Sequence, residues 1–269
     1  MAREPGGAGA PTQPIMAQAE GTGHPTRQGF VIVFGTGQYI EPTDTAPTRP
    51  GKTFQPQSFY GIWDKDDKKP VSGQTQVLKT ELLDQALTDV GNVRLVPLAS
   101  PDWSKHKGWK MDFPNSITTG ERAVFRPILT SSRLIFTTLI PVAEPCAGGG
   151  TSILMIIDPA TGSRVDGPVI DVKADGILND KDQVTPGVYA SGIKSEVGIS
   201  PTPVVVRGGP NLQPTDNASK IFGTTQRAIV GAEGVLGFTF MGGPLGVQGL
   251  WIGLRSSAGR VSWREILTN

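Results

Sequence analysis

Apolar residues in this chain fall in short runs of about four to eight, each closed by Gly, Pro, Asn or Asp, the local pattern of β-strands and their turns. The clearest runs are residues 30–34, 58–63, 123–129, 134–140, 152–157, 202–206, 228–230, 235–240 and 249–254. Between two of them, Asp158-Pro159-Ala160-Thr161-Gly162 has Pro to fix φ at its first central position and Gly to accept a positive φ at its end, and it reads as a hairpin tip. One stretch departs from the pattern. Within residues 74–90, Leu78, Leu82, Leu83 and Leu87 are spaced to lie near one helical face. A lone helix there would interrupt strands on both sides, so residues 82–90 are expected to be strand.

Many strands without alternating helices favour an all-β sandwich, barrel or propeller. Trp-bearing strands recur at Gly61-Ile62-Trp63, Gly108-Trp109, Leu250-Trp251 and Ser262-Trp263. At about 40 to 50 residues per blade, the length fits about five to six blades of a propeller. Composition suits that picture: 35 Gly and 23 Pro among 269 residues supply tight turns, and 37% hydrophobic content supplies a core.

The net charge of +1, with both signs interspersed, gives no field for nucleic acid or an anionic bilayer. No apolar run approaches the roughly 20 residues needed to cross a bilayer, so no membrane insertion is expected. Residues 1–28 are rich in Gly, Pro and Ala without an apolar stretch of signal-peptide length. They read as an extended lead-in, the remnant of a preceding blade, with the propeller proper at residues 29–269. Cys146 is the only cysteine and excludes an internal disulfide.

Several phrases, in order, resemble the C-terminal propeller of the PilC/PilY family of type IV pilus-tip adhesins. They are Phe34-Gly35-Thr36-Gly37-Gln38-Tyr39, Gln57-Ser58-Phe59-Tyr60-Gly61-Ile62-Trp63-Asp64, and Gly108-Trp109-Lys110-Met111-Asp112-Phe113-Pro114 followed by Gly120-Glu121-Arg122. Then come Phe136-Thr137-Thr138-Leu139-Ile140-Pro141 with Pro145-Cys146, Gly149-Gly150-Thr151-Ser152, residues 195–203, and Gly259-Arg260-Val261-Ser262-Trp263-Arg264-Glu265. The resemblance implies a partial, quinoprotein-like β-propeller of short antiparallel four-stranded blades. It also implies a noncatalytic adhesion and assembly module at the cell surface, on the pilus tip or outer membrane. Its implied partners are pilus subunits or minor pilins, a host or surface receptor, and the N-terminal part of its parent protein. Export would then depend on a true start upstream of Met1 or on another segment of that parent.

One stretch carries metal chemistry. Residues 171–182, DVKADGILNDKD, nearly match the loop pattern D-x-[DN]-x-[DN]-G-x5-E. In such loops a hard cation takes oxygens from alternate positions, a carbonyl at the seventh and a carboxylate at the twelfth, with Gly at the sixth for the turn. The mapping places Asp171, Asp175, the Ile177 carbonyl, Asn179 and Asp182 around calcium, with Gly176 at the turn. Lys173 stands where an oxygen is wanted, and Asp182 is shorter than the usual Glu, so the site is weakened. The pilus-tip resemblance implies a calcium site that governs pilus extension and retraction. The competing reading is an Asp/Gly-rich turn whose carboxylates cap their own amides.

Other signals carry less. Residues 35–38, GTGQ, lack the full glycine spacing of a phosphate loop and read as a strand-ending turn. Cys146 with His106 or His24 shows no nucleophile–base spacing. Glu121, Arg122 and Asp112 read as solvated or turn-bonded groups before an acid/base set. Trp63, Trp109, Trp251 and Trp263 read as packing before sugar-stacking platforms. Two other readings stand beside the first: a quinoprotein-like propeller enzyme, for which no convergent inner-strand polar residues are found, and a carbohydrate-binding surface module.

Overall fold

The computed structural model describes residues 2–3, 12–45, 53–65, 76–130, 132–142, 149–175, 178–207, 234–243 and 246–255. Strands dominate. The first nine are β1 (Ala2–Arg3), β2 (Thr12–Gln13), β3 (Glu20–Gly23), β4 (Phe30–Gly35), β5 (Ser58–Asp64), β6 (Leu83–Asp84), β7 (Thr88–Val90), β8 (Val93–Leu95) and β9 (Gly108–Asp112). They continue as β10 (Ile128–Thr130), β11 (Arg133–Pro141), β12 (Gly150–Ile157), β13 (Gln183–Thr185), β14 (Val188–Tyr189), β15 (Gly192–Lys194), β16 (Val204–Arg207), β17 (Gly234–Gly243) and β18 (Gly246–Arg255). The single α-helix among the described residues is one turn, Ser116–Thr119.

Three sheets carry the architecture among the described residues. The first has the order β3-β4-β5-β9-β6, the second β10-β11-β12-β15-β8-β7, and the third β16-β17-β18. Each of the first two holds a run of four antiparallel strands, as a blade requires, but both exceed four. In the first sheet β6 is added parallel to β9, through Leu83↔Trp109. In the second, the hairpin β7–β8 joins the edge of β15, through Ile193↔Val93. The stretch between β5 and β9 thus serves both sheets. Such insertions widen these two sheets beyond the four strands of a minimal blade. The pairing of β3 with β4, from Glu20↔Val33 to Gly23↔Phe30, brings part of the 1–28 stretch into the first sheet.

Most strand expectations hold to within a residue or two. Residues 228–230 lie outside the described residues. Residues 123–129 are a correction, since only Ile128–Thr130 is strand. Pro127 has no N–H to donate to a ladder. Ahead of it the backbone spans two sheets: Ala123 N–H donates to the Thr36 carbonyl at 2.9 Å, and Arg122 bridges to Leu139. Within residues 82–90, strand forms only at β6 and β7, with irregular chain at residues 85–87 between them and a 3-10 turn at Lys79–Glu81 before them. The 158–162 turn is closed by Asp158 N–H to the Ser163 carbonyl, 3.0 Å, with the Asp158 carboxylate capping Ala160 and Thr161. It is a turn but no hairpin tip, because β12 pairs with β11 and β15, and Arg164 N–H goes to the Pro97 carbonyl.

Strand alternation fixes the core. On β12, Ile153, Met155 and Ile157 join Val31, Val33, Phe59, Trp109 and Met111 between the first and second sheets. Leu154 and Ile156 face the other way, onto Val165, Val169, Ile170 and Ile252. The second sheet is therefore covered on both faces, which demands an uninterrupted apolar run such as Ile153-Leu154-Met155-Ile156-Ile157. Phe59 stacks on Phe136 with ring centroids 3.9 Å apart, joining the two sheets. Trp109 is fully buried and lies between two glycines: a methyl group at Gly61 would come within 2.2 Å of the indole, and one at Gly162 within 2.3 Å. The Asp158–Gly162 turn thus packs on a first-sheet tryptophan.

Candidate functional site

The 171–182 loop follows Ile170, a buried residue bridged to Ile252 of β18, and ends at the hairpin β13–β14. Both ends are anchored, so the loop has a fixed frame. Asp171 and Asp182 are buried, and Lys173 and Asp175 are exposed. The Oδ1 of Asp182 accepts the backbone N–H of Val172 at 3.0 Å and of Lys173 at 3.3 Å, while Oδ2 accepts that of Asn179 at 3.0 Å. One carboxylate therefore clips the start of the loop to its end. The Asn179 side chain accepts the Lys181 N–H at 2.7 Å, completing a capping box with Asp182. Asp171 Oδ1 accepts the Asp175 N–H at 3.3 Å.

Of the predicted ligands, Asp171 is thus joined to Asp175 and Asn179 to Asp182; Ile177 and Gly176 lie outside the described residues. Among the described residues, no group of three or more His, Cys, Asp or Glu side chains converges as a metal site would. The donor chemistry, hard carboxylate and amide oxygens, is that of a calcium loop. The arrangement observed is the amide-capped turn, and an ion would take Asp182 oxygens now bonded to three N–H groups.

Sequence reasoning missed the neighbours that brace this loop. Tyr189 donates its hydroxyl proton to Asp180 at 2.6 Å, and Gln183 donates to the same hydroxyl at 3.0 Å. The bond to Asp180 is the main reason the Tyr189 phenol is pushed above its ordinary value. The Asp/Asn spacing could not announce a tyrosine supplied by the following hairpin.

The residues considered as an acid/base set lie in three separate environments. Arg94 and Glu121, each about 1% exposed, form a two-pronged ion pair at 2.5 and 3.0 Å. Asp89 binds the guanidinium at 2.6 and 2.9 Å, and the Thr138 hydroxyl donates to Glu121 at 2.7 Å. Burial pulls the Arg94 pKa down, but the bonds to Asp89 and Glu121 more than reverse that and hold the guanidinium charged. Arg122 instead donates to the carbonyls of Gly120 and Gln38, at 2.7 and 2.6 Å, and burial pushes its pKa down. Asp112 accepts from Ser58 at 2.6 Å, Lys110 at 2.6 Å and Lys79 at 2.9 Å. Burial pushes its carboxyl up, and the bonds from Lys110, Ser58 and Lys79 outweigh it, leaving a net lowering.

The tryptophans divide as well. Trp109 is sealed in the core, which corrects any sugar-stacking reading for it. Trp63 stacks on His24 at 4.0 Å, with Lys65 Nζ 4.2 Å from the indole. Side chains on β18, where Trp251 sits, are not described beyond Ile252, and Trp263 and Cys146 lie outside the described residues. Gly35 and Gly37 end β4 in a turn pressed against Ala123 and Arg122, as the strand-ending reading of residues 35–38 requires.

Comparison with known proteins gives a consistent picture. Residues 4–96 match the family described as the PilY1 beta-propeller domain. The type IV pilus biogenesis factor PilY1 of Pseudomonas aeruginosa is 31% identical over 186 residues, 63% of this chain. A PilY1 homolog of Xylella fastidiosa is 27% identical over 201 residues, 73% of this chain. The chain spans only 16% and 12% of the lengths of these relatives. In structure, it is similar to the crystal structure of the Pseudomonas aeruginosa PilY1 C-terminal domain, with a TM-score of 0.65 at 22% identity, over 93% of this chain and 46% of that one.

Proposed function

Because the chain is homologous to the C-terminal domain of the type IV pilus biogenesis factor PilY1, we propose that it is a noncatalytic adhesion and assembly module of a type IV pilus tip. The observation that carries the reading is the agreement of sequence and fold over most of the chain: 31% identity in one comparison and a TM-score of 0.65 in the other. On this reading the module works at the cell surface, in contact with pilus subunits or minor pilins and a host or surface receptor. Sheared pili from the native host, probed for this chain by antibody labelling, should carry it at their tips. Pili free of the chain would refute the proposal.

The finer part of the proposal is that calcium at residues 171–182 regulates extension and retraction. Two buried carboxylates on a loop with anchored ends support it, as does the oxygen-rich donor set of Asp171, Asp175, Asn179 and Asp182. Calcium, when bound, would supply a divalent charge to which these oxygens reorient from the amides. Titration calorimetry tests it: Asp175→Ala should abolish the binding heat, and Lys173→Asn, which replaces a cation by an oxygen donor, should increase affinity. Equal heats for both variants and the parent chain would rule the site out.

A further inference from the structure

The turn joining β3 to β4 holds an arrangement that none of the pilus chemistry requires. His24, 3% exposed, stacks flat on Trp63 and meets Trp103 edge-on at 4.1 Å with an interplanar angle of 74°. Its Nδ1 receives the Thr26 backbone N–H at 3.2 Å and lies 2.7 Å from the Thr26 hydroxyl. A nitrogen that accepts an N–H bears a lone pair, so the proton of the neutral ring is on Nε2. That Nε2 is buried and has no hydrogen-bond partner among the described residues. The turn is also under tension. Arg27, not a glycine, is left-handed at φ +63°, and the turn is held by His24 N–H to Gly29 and Arg27 N–H to His24, at 3.1 and 2.8 Å, and by the Trp63 indole N–H to the Gln28 carbonyl at 2.9 Å.

We infer that the His24–Trp63–Trp103 stack is an acid-sensitive latch on the β3–β4 hairpin. Charging the ring needs a second proton, at Nδ1, which sets two N–H groups against each other and expels the Thr26 amide. The new cation would lie against an indole that Lys65 already contacts, and Lys65 is the charge that acts on His24. Other charged groups flank the stack. Arg27 on the same turn is a cation, and Asp64 precedes Lys65 at the end of β5. On the Trp103 turn Asp102 is paired with Lys105 at 3.1 Å, and His106 Nδ1 accepts the Asp102 N–H. Burial first, then Lys65, pushes the His24 pKa below its ordinary 6.5. A depressed histidine stabilises the fold fully above pH 6.5 and loses that contribution as pH falls from 6.5 towards the folded value.

Opening the latch would release β3, the edge strand of the first sheet. Its Glu20 also grips Arg126 at 2.6 Å, just ahead of β10 of the second sheet. The latch therefore guards the edge where the two sheets meet, and acid would expose the β4 edge that carries Val31 and Val33.

His24 and His106 are the only histidines, which makes the test simple. Tryptophan emission of the full chain, followed from pH 8 to pH 4.5, should fall with a midpoint below 6.5 as charged imidazole quenches Trp63. His24→Phe should remove that step, and His106→Gln should leave it. Lys65→Gln, an exposed change that does not threaten folding, should move the midpoint upward. Amide exchange across residues 20–33, corrected for the intrinsic pH dependence, should accelerate by up to about tenfold for each pH unit lost within the titration window. A step that persists in His24→Phe, a midpoint unmoved by Lys65→Gln, or uniform hairpin protection from pH 7.5 to pH 5 would each overturn the latch.

Discussion

The first and second sheets share one core but meet their surroundings differently. The first puts Val31, Val33, Phe59, Trp109 and Met111 inward and bears a polar network on its opposite face. There Tyr60 donates to Gln13 at 2.6 Å, Gln13 to Ser58 at 3.1 Å and Ser58 to Asp112 at 2.6 Å. The second sheet packs apolar clusters on both faces, with Thr137, Thr138 and Ser152 buried among them, and meets buried charge at the Arg94–Glu121 pair. The lesson concerns reading a strand. Coverage on both faces calls for an unbroken apolar run, but such a run alone does not report it: Phe30-Val31-Ile32-Val33-Phe34 on β4 is unbroken and still alternates between buried and more exposed positions.

The largest expected effect breaks the second sheet at its charge. Glu121→Ala leaves Arg94 buried with only the half-exposed Asp89 as counterion, and should cost about 3–5 kcal/mol in denaturant unfolding. A cost near that of a surface change would mean the pair is not buried as described. Next comes packing. Ile156→Ala, in the doubly covered sheet, should cost about 2–5 kcal/mol, and Ile32→Ala, half-buried on β4, less than about 2 kcal/mol. Equal costs would erase the distinction between the sheets. The smallest effect belongs to the polar face. The net lowering of the Asp112 pKa makes its contribution complete above the ordinary 3.8 and lost as pH falls below it. Asp112→Asn should flatten that acid limb of the stability curve only slightly, because the side chain is 47% exposed and solvent screens the pairing.

How much was legible follows from the range over which each feature is encoded. The runs at β4, β5, β11 and β12 were readable because strand periodicity is local. So was the choice of strand over helix after Leu82, where the leucine spacing argued one way and the all-β context the other. Residues 123–129 misled because their apolar content is spent crossing between sheets. The blade width misled because β7–β8 serve a sheet otherwise built by residues 128–194. In the candidate loop, the positions of Asp171, Asp175, Asn179 and Asp182 were legible, but the bonding of Asp182 to Val172 and Lys173 was not, since amide partners leave no mark on side-chain spacing. Arg94 and Glu121 stand 27 positions apart on different elements, and nothing local announces that they meet.

The lending of β7–β8 to the second sheet has a consequence for how the chain acquires its shape. Val93 finds Ile193 only after the 99 residues between them are in place, and β9 has by then had every chance to close the first sheet. A ribosome or a secretion pore that releases the chain from its N-terminal end would therefore hold a half-knitted intermediate, with the edges of β7–β8 waiting for a late arrival. Such long-range closure is slow. The time spent in that waiting state is when a chaperone or a misplaced strand would have its opportunity.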